Sequence, residues 1–96
     1  MLRLRPEAER DIWEATQWYE KREAGLGKEF VTNVDDAFRK IAVGPKRYLV
    51  AHRTLRRALL SRFAYAIFFR EDKDDLLVVA VLHQRSAREV LVEREG

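Results

Sequence analysis

The stretch Leu76-Leu77-Val78-Val79-Ala80-Val81-Leu82 decides the fold of this 96-residue chain. It has no polar face, and such a run is typical of a central strand that is covered on both sides. Two further segments predict strands that pair with it. Residues 65–70 alternate with a period of two, and residues 55–61 precede them as a plausible strand. An acidic turn at residues 71–75 joins the alternating segment to the apolar run.

The first half of the chain has a helical period instead. Residues 2–5 predict a short strand that Pro6 closes, and two helices are expected over residues 7–22 and 27–43. Each helix carries one apolar stripe, formed by Ala8, Ile12, Ala15 and Tyr19 in the first and by Phe30, Val34, Ala37 and Ile41 in the second. The sequence therefore predicts an α+β fold with an N-terminal strand, a helical hairpin and then a three-stranded antiparallel sheet.

A helical hairpin can cover only one face of a sheet of three to four strands. We expect the C-terminal segment or a partner peptide to cover part of the other face, because large exposed apolar patches mark interaction sites.

The two tryptophans are interpreted differently. Trp18 flanks the apolar stripe and is expected in the core, whereas Trp13 falls on the far side of the helix. Trp13 is therefore either an interface anchor or a side chain that folds back over the strand or Phe38.

Composition limits the class of protein. A chain of this length predicts a single domain over residues 1–96. It has no cysteine, which excludes disulfides and thiolate metal sites and suits a reducing compartment. The longest apolar run is too short to span a bilayer, and charged residues occupy the N-terminus where a signal peptide is apolar. A cytoplasmic protein without membrane contact is expected.

The net charge of +3 is unevenly distributed. Residues 1–45 have eight basic and nine acidic side chains, residues 46–70 seven and none, and residues 71–96 four and seven. The basic side chains of the middle segment are Lys46, Arg47, Arg53, Arg56, Arg57, Arg62 and Arg70. Such a segment favours a polyanionic or acidic partner, although arginines also protect edge strands from aggregation.

Enzymatic chemistry has few candidate residues in this sequence. There is no Gly-rich phosphate loop, no metal-ligand cluster and no Ser-His-acid spacing, so no cofactor or metal is expected. His83 is the exception, because Arg85 and Arg88 follow it and together they could supply acid-base and phosphate chemistry for RNA cleavage. A single histidine at a strand end is more often bonded to a neighbouring carbonyl.

Four short motifs occur in a fixed order: Trp18-Tyr19-Glu20, Gly25-Leu26-Gly27, Arg62-Phe63-Ala64-Tyr65 and His83-Gln84-Arg85. In order, spacing and context, from Leu2 to about Arg88, the chain resembles the RelE/ParE toxin superfamily of type II toxin-antitoxin systems, and its ParE-like branch in particular. Three features depart from the pattern. Ala64 stands where ParE-like chains have proline, no Tyr follows Tyr65, and no Trp follows Arg88.

The resemblance implies a toxin that inhibits DNA gyrase and that a cognate antitoxin neutralises. It implies no catalytic residue and no sequence-specific binding of nucleic acid by the chain itself. The alternatives are a RelE-like ribosome-dependent mRNA endoribonuclease and a non-toxic binding relic. We expect antitoxin contacts at Arg56, Arg57 and Trp13. We expect target contacts at Arg62, Arg85 and Arg88. In the ribonuclease alternative, the catalytic residues are His83, Arg85 and Arg62.

Overall fold

A computed structural model describes residues 1–95, in which five strands and three α-helices form one sheet with helices on both faces. In chain order the elements are β1 (Leu2–Leu4), α1 (Pro6–Arg22), α2 (Leu26–Val43), a 3-10 turn (Pro45–Arg47), β2 (Val50–His52), β3 (Leu55–Leu59), β4 (Tyr65–Asp72), β5 (Asp75–His83) and α3 (Ala87–Glu95). Both predicted helices and the four predicted strands are confirmed within a few residues.

The sheet has the strand order β1-β5-β4-β3-β2. Strands β3, β4 and β5 form the predicted antiparallel unit. The predicted strand number was nevertheless too low: β1 joins the same sheet in parallel with β5, and β2 adds an antiparallel edge strand beside β3. Strand β2 was missed because its three residues, 50–52, are largely exposed and show no alternation of apolar and polar side chains.

The helical hairpin of α1 and α2 covers one face of the sheet. Its apolar stripes meet inward-facing side chains of β3, β4 and β5 in a core that contains Ala8, Ala15, Phe30, Val34, Ile41, Ala58, Ile67, Phe69, Val78 and Val81. Burial of this apolar surface is the main driving force for folding. The helical period of the first half and the strand period of the second half therefore meet in one core, as the sequence predicted.

The opposite face of the sheet is partly covered by α3. Ala87 and Leu91 of this helix are buried in a second cluster with Leu55, Ala66, Phe68, Leu77, Val79, Ala80 and Leu82. Of the two alternatives for covering this face, the chain's own C-terminal segment is the one observed. The all-apolar run in β5 is explained, because its side chains enter the two clusters on both faces. Within residues 1–95, no helix combines the length and apolar character needed to cross a membrane.

The expectation that Trp18 is a core residue is wrong. Its side chain is 50 % exposed and carries the guanidinium of Arg22 over its ring at 4.0 Å. Tyr19 takes the inward position instead, with ring centroids 5.4 Å from Phe30 and 4.7 Å from Phe63. Consecutive helical residues point about 100° apart, so one of the two rings must lie at the margin. Trp13 is 64 % exposed, as its place on the helix predicted.

The junction between the two helices is closed by Glu20. Its carboxylate accepts hydrogen bonds from the backbone N–H groups of Gly25 and Gly27 at 3.0 to 3.1 Å. Gly25 has a φ of 91°, a left-handed conformation that glycine adopts without strain. Gly27 lies against the backbone of α1, where a Cβ atom would be 2.8 Å from the carbonyl oxygen of Thr16. Two of the sequence motifs therefore act together. Trp18-Tyr19-Glu20 supplies the carboxylate, and Gly25-Leu26-Gly27 supplies the N–H groups that close the junction of α1 and α2.

We predict that Gly27→Ala lowers the free energy of unfolding by about 1 to 3 kcal/mol, because the added methyl group must push the two helices apart. Gly44→Ala is the matched control. Its Cβ would meet only the flexible end of the Arg47 side chain, so a change below about 1 kcal/mol is expected. Urea denaturation of both variants measures the difference, and equal stabilities would contradict the close helix contact.

Candidate functional site

The first candidate site is a groove of about 370 Å³ on the face of the sheet that α3 partly covers. We call it the basic groove; its polar side chains are His52, Arg57, Gln84 and Arg88, and its apolar ones are Phe68 and Leu91. Both arginines are exposed. His52 Nε2 is buried, and no described residue forms a hydrogen bond with it. Strand β3 supplies Arg57 and the first turn of α3 supplies Arg88, so the groove can hold an anionic group between two cations.

Arg56 and Arg57 lie on opposite faces of the sheet, because side chains alternate along a strand. Arg57 pairs in register with Phe68 of the α3 face, whereas Arg56 pairs with Phe69 of the hairpin face. Arg56 is also half-buried, and its Nη1 donates a hydrogen bond to the carbonyl oxygen of Tyr48 at 2.6 Å. The two predicted antitoxin contacts therefore belong to different surfaces. Trp13 belongs to a third, the exposed side of α1.

The second candidate site is a groove of about 400 Å³ between α1 and the end of β5. We call it the aromatic groove; its lining includes Asp11, Glu14, Trp18, Tyr19, Tyr65, Val81, Leu82, His83 and Ser86. Burial raises the pKa of Tyr65 above 10.0, and the charges of Tyr19, Asp11 and Glu14 add to this rise. Asp11 and Glu14 are the carboxylates of this groove, whereas the charged side chains of the basic groove on the other face are two arginines.

Asp11, which lines the aromatic groove, forms an ion pair with Arg94 of α3. The two guanidinium nitrogens donate to the two carboxylate oxygens at 2.6 and 2.7 Å, and the side chains are only 8 % and 20 % exposed. The pair also bonds the backbone of β5: Asp11 accepts from the N–H of Val81 at 3.0 Å, and Arg94 donates to the carbonyl of Val79 at 3.3 Å. It therefore connects α1, β5 and α3.

Of the three residues of the ribonuclease alternative, Arg62 lies apart from the other two. Arg62 pairs with Glu29 at 2.7 Å and its N–H donates to Asn33 Oδ1, which places it beside α2. His83 lines the aromatic groove, with its ring 5.4 Å from that of Tyr65. Arg85 lies in the exposed turn after β5, where its N–H donates to His83 Nδ1 at 3.1 Å. The expected acceptor for His83 was a backbone carbonyl; its Nδ1 accepts a backbone N–H instead.

Over residues 2–88 the sequence matches the family described as "ParE toxin of type II toxin-antitoxin system, parDE". The chain belongs to this family. A solved structure, "Chromosomal ParDE TA system from P. aeruginosa", has a similar fold with a TM-score of 0.65. The alignment covers 85 % of this chain and 92 % of that one at 12 % identity, so the likeness concerns the fold alone. No curated protein is similar enough in sequence to count as a relative. The resemblance to the ParE-like branch is confirmed.

Several residues of this ParE family member were not singled out from its sequence. Asp11 follows Glu7 and Glu9 in the first two turns of α1, where acidic residues are common because they suit the helix dipole. Arg94, its partner, is 83 residues away in sequence. The helical spacing of Asp11, Glu14 and Trp18 does place all three near one face of α1, and that spacing is the signal that could have identified the aromatic groove.

We predict that Asp11→Ala lowers the free energy of unfolding by about 3 to 5 kcal/mol, because it leaves Arg94 unpaired and the Val81 N–H without its acceptor. The control is Asp36→Ala, which removes an exposed ion pair with Arg39 and should cost less than about 1 kcal/mol. Thermal and urea denaturation measure both. Similar small losses in the two variants would show that the buried pair is not important for stability.

Proposed function

We propose that this chain is a cytoplasmic toxin that inhibits DNA gyrase and that a cognate antitoxin neutralises it. Membership in the ParE toxin family supports the toxin role, and the structural neighbour belongs to a chromosomal ParDE TA system. Gyrase as the target follows from the ParE-like motifs rather than from any bound partner. The single domain over residues 1–96 and the target contacts at Arg62, Arg85 and Arg88 are parts of the same proposal.

The observation that carries the proposal is the basic groove. It brings together Arg57, which we assigned to the antitoxin, and Arg88, which we assigned to the target. An antitoxin segment with acidic and apolar side chains fits the two cations and the floor of Phe68 and Leu91. Such a segment neutralises the toxin by occupying the surface that the target needs. Arg56 and Trp13 then contact parts of the antitoxin that pass onto the hairpin side and onto α1.

The ribonuclease alternative is less well supported. General acid-base catalysis needs groups within hydrogen-bond reach of one substrate, but Arg62 and His83 line different grooves. Phosphate binding in the basic groove does not restore it, because His83 lines the other groove. Gyrase inhibition requires no proton donor or acceptor, since a protein can stall an enzyme-DNA complex by binding alone.

Expression of the chain without an antitoxin should induce a DNA-damage response and filamentous growth, and the purified chain should inhibit supercoiling by gyrase. We predict that the double variant Arg57→Glu, Arg88→Glu reduces this inhibition at least about tenfold, because it reverses the charge of the groove. The matched control Arg39→Glu, Lys40→Glu makes the same charge change on the exposed side of α2 and should inhibit nearly as the unchanged chain does.

The same assays separate the two toxin classes through His83→Gln. We expect this variant to retain inhibition within about twofold, because the imidazole has no role in proton transfer. In a ribonuclease the loss would be about 10² to 10⁴. Rapid arrest of protein synthesis with cleavage of ribosome-bound mRNA, together with an inactive His83→Gln variant, would overturn the gyrase proposal.

Association with the antitoxin encoded by a neighbouring reading frame should depend on salt. We predict that Arg57→Glu slows association strongly in low salt and less in high salt, since steering by exposed charges is screened. Arg56→Glu should slow it less, because this side chain is half-buried and bonded to Tyr48. Stopped-flow measurements give both rates. Association that ignores both variants and the salt concentration would contradict the proposed contacts.

A further inference from the structure

The sheet ends at β2, the three-residue strand that lies beside β3. The N–H of Arg57 in β3 donates to the carbonyl oxygen of Leu49 at 3.0 Å, so the backbone of Leu49 faces β3. Backbone directions alternate along a strand, and the N–H and carbonyl groups of Val50 therefore point out of the edge of the sheet. Val50 is 53 % exposed, so a strand from another molecule can reach both groups.

Apolar side chains surround this open edge. Leu49 is 81 % exposed, and Leu59, two residues beyond Arg57 in β3, is 54 % exposed. Leu49 lies opposite Arg57, so the two leucines are diagonal neighbours on one face of the sheet. Val50 lies opposite Arg56 on the other face. An added strand covers such side chains while it pairs with the backbone of the edge.

Exposed cations stand at both ends of β2. Lys46 and Arg47 lie in the turn before the strand, and Arg53 lies in the turn after it. Residues 46–70 contain no acidic side chain, so two copies paired edge to edge would place these cations against one another. Like charges protect an edge strand from self-association, whereas they attract a segment that carries carboxylates. The edge therefore favours an acidic partner over a second copy of the chain.

The edge of β2 is continuous with the basic groove. Ala51 and His52 of β2 line this groove together with Arg88, which we proposed as a target contact. A target that occupies the groove at Arg88 is therefore already beside β2.

We propose that the edge of β2 binds an extended segment of the target of the toxin, apolar at its centre and acidic at both ends. The central residue lies beside Val50 and exchanges two backbone hydrogen bonds with it. The acidic residues lie beside Arg53 at one end and beside Lys46 and Arg47 at the other. The proposal rests on the target inhibition proposed above and adds the surface and the peptide chemistry by which the target is recognised.

The peptide N-acetyl-Glu-Ser-Val-Leu-Val-Ser-Glu-amide is a suitable probe for the free chain. In amide exchange followed by ¹⁵N NMR, saturating peptide should slow exchange of the Val50 N–H at least about threefold. An analogue with an N-methyl group on its central leucine loses the donor to the Val50 carbonyl. An analogue with glutamine in place of both glutamates loses the charges. Each analogue should bind at least about threefold more weakly than the parent peptide.

Variants of the chain connect the edge to the target. Val50→Pro removes the N–H that points out of the sheet, a change that edge strands tolerate, and should reduce gyrase inhibition at least about threefold without loss of the fold. Arg53→Gln should weaken peptide binding at least about twofold. The matched control is Lys73→Gln in the turn between β4 and β5, because Lys73 has a left-handed backbone with a φ of 60° as Arg53 does with 52°.

Unchanged exchange at Val50, or equal binding of the N-methylated peptide, would overturn the proposal. Full gyrase inhibition by Val50→Pro would also overturn it, and a defect confined to antitoxin association would assign the edge to the antitoxin instead. In sedimentation, a dimer of the free chain that Val50→Pro dissociates would assign the edge to a second copy. The peptide assay needs no gyrase. Peptide binding by a chain that does not inhibit supercoiling would therefore reject gyrase as the target and still support the docking chemistry.

Discussion

The bidentate pair of Asp11 and Arg94 is the contact on which the arrangement of the other elements depends. Strand β1 has three residues and its neighbour β5 has nine, so part of the β5 edge has no strand to pair with. The ion pair supplies the missing donor and acceptor from side chains, and each ion gains hydrogen bonds that offset its loss of hydration. Because the two residues come from α1 and α3, the same contact fixes the helices on both faces of the sheet relative to β5.

Local patterns predicted helices α1 and α2 and strands β1, β3, β4 and β5, whereas α3 was expected only as a C-terminal segment of unspecified structure. The apolar run at residues 76–82 predicted a strand that is covered on both faces, and the helical hairpin and α3 cover these faces. Strand β2 was not predictable in this way, since three exposed residues bury too little to leave a pattern. A register shift opposite Phe68 and Phe69 leaves Val79 as an extra residue in β5, and it was not predictable either, because it changes no side-chain pattern.

The candidate site was predicted less well. Charges were counted along the sequence, and such a count does not show which charged side chains share a surface of the fold. A block of seven basic residues looked like one patch. In the fold these residues lie on separate surfaces. Arg57 faces the basic groove, whereas Arg56 bonds a backbone carbonyl on the other face of the sheet. Arg62 pairs with Glu29 beside α2. Residues 55–61 were already expected to form a strand, in which side chains alternate between faces, so the division of Arg56 from Arg57 was available from the sequence. The contribution of Arg88 was not, because it depends on the packing of α3.

The sequence motifs that identify the family stabilise the fold. Glu20 bonds the backbone at Gly25 and Gly27, and Arg62 is held by Asn33 and Glu29, while Tyr19 and Phe63 fill the core between the hairpin and the sheet. A match to such residues therefore identifies the framework of the fold that members of the family share. Exposed side chains that take no part in this framework, such as Arg57 and Arg88 in the basic groove, can therefore be changed with little cost to the fold.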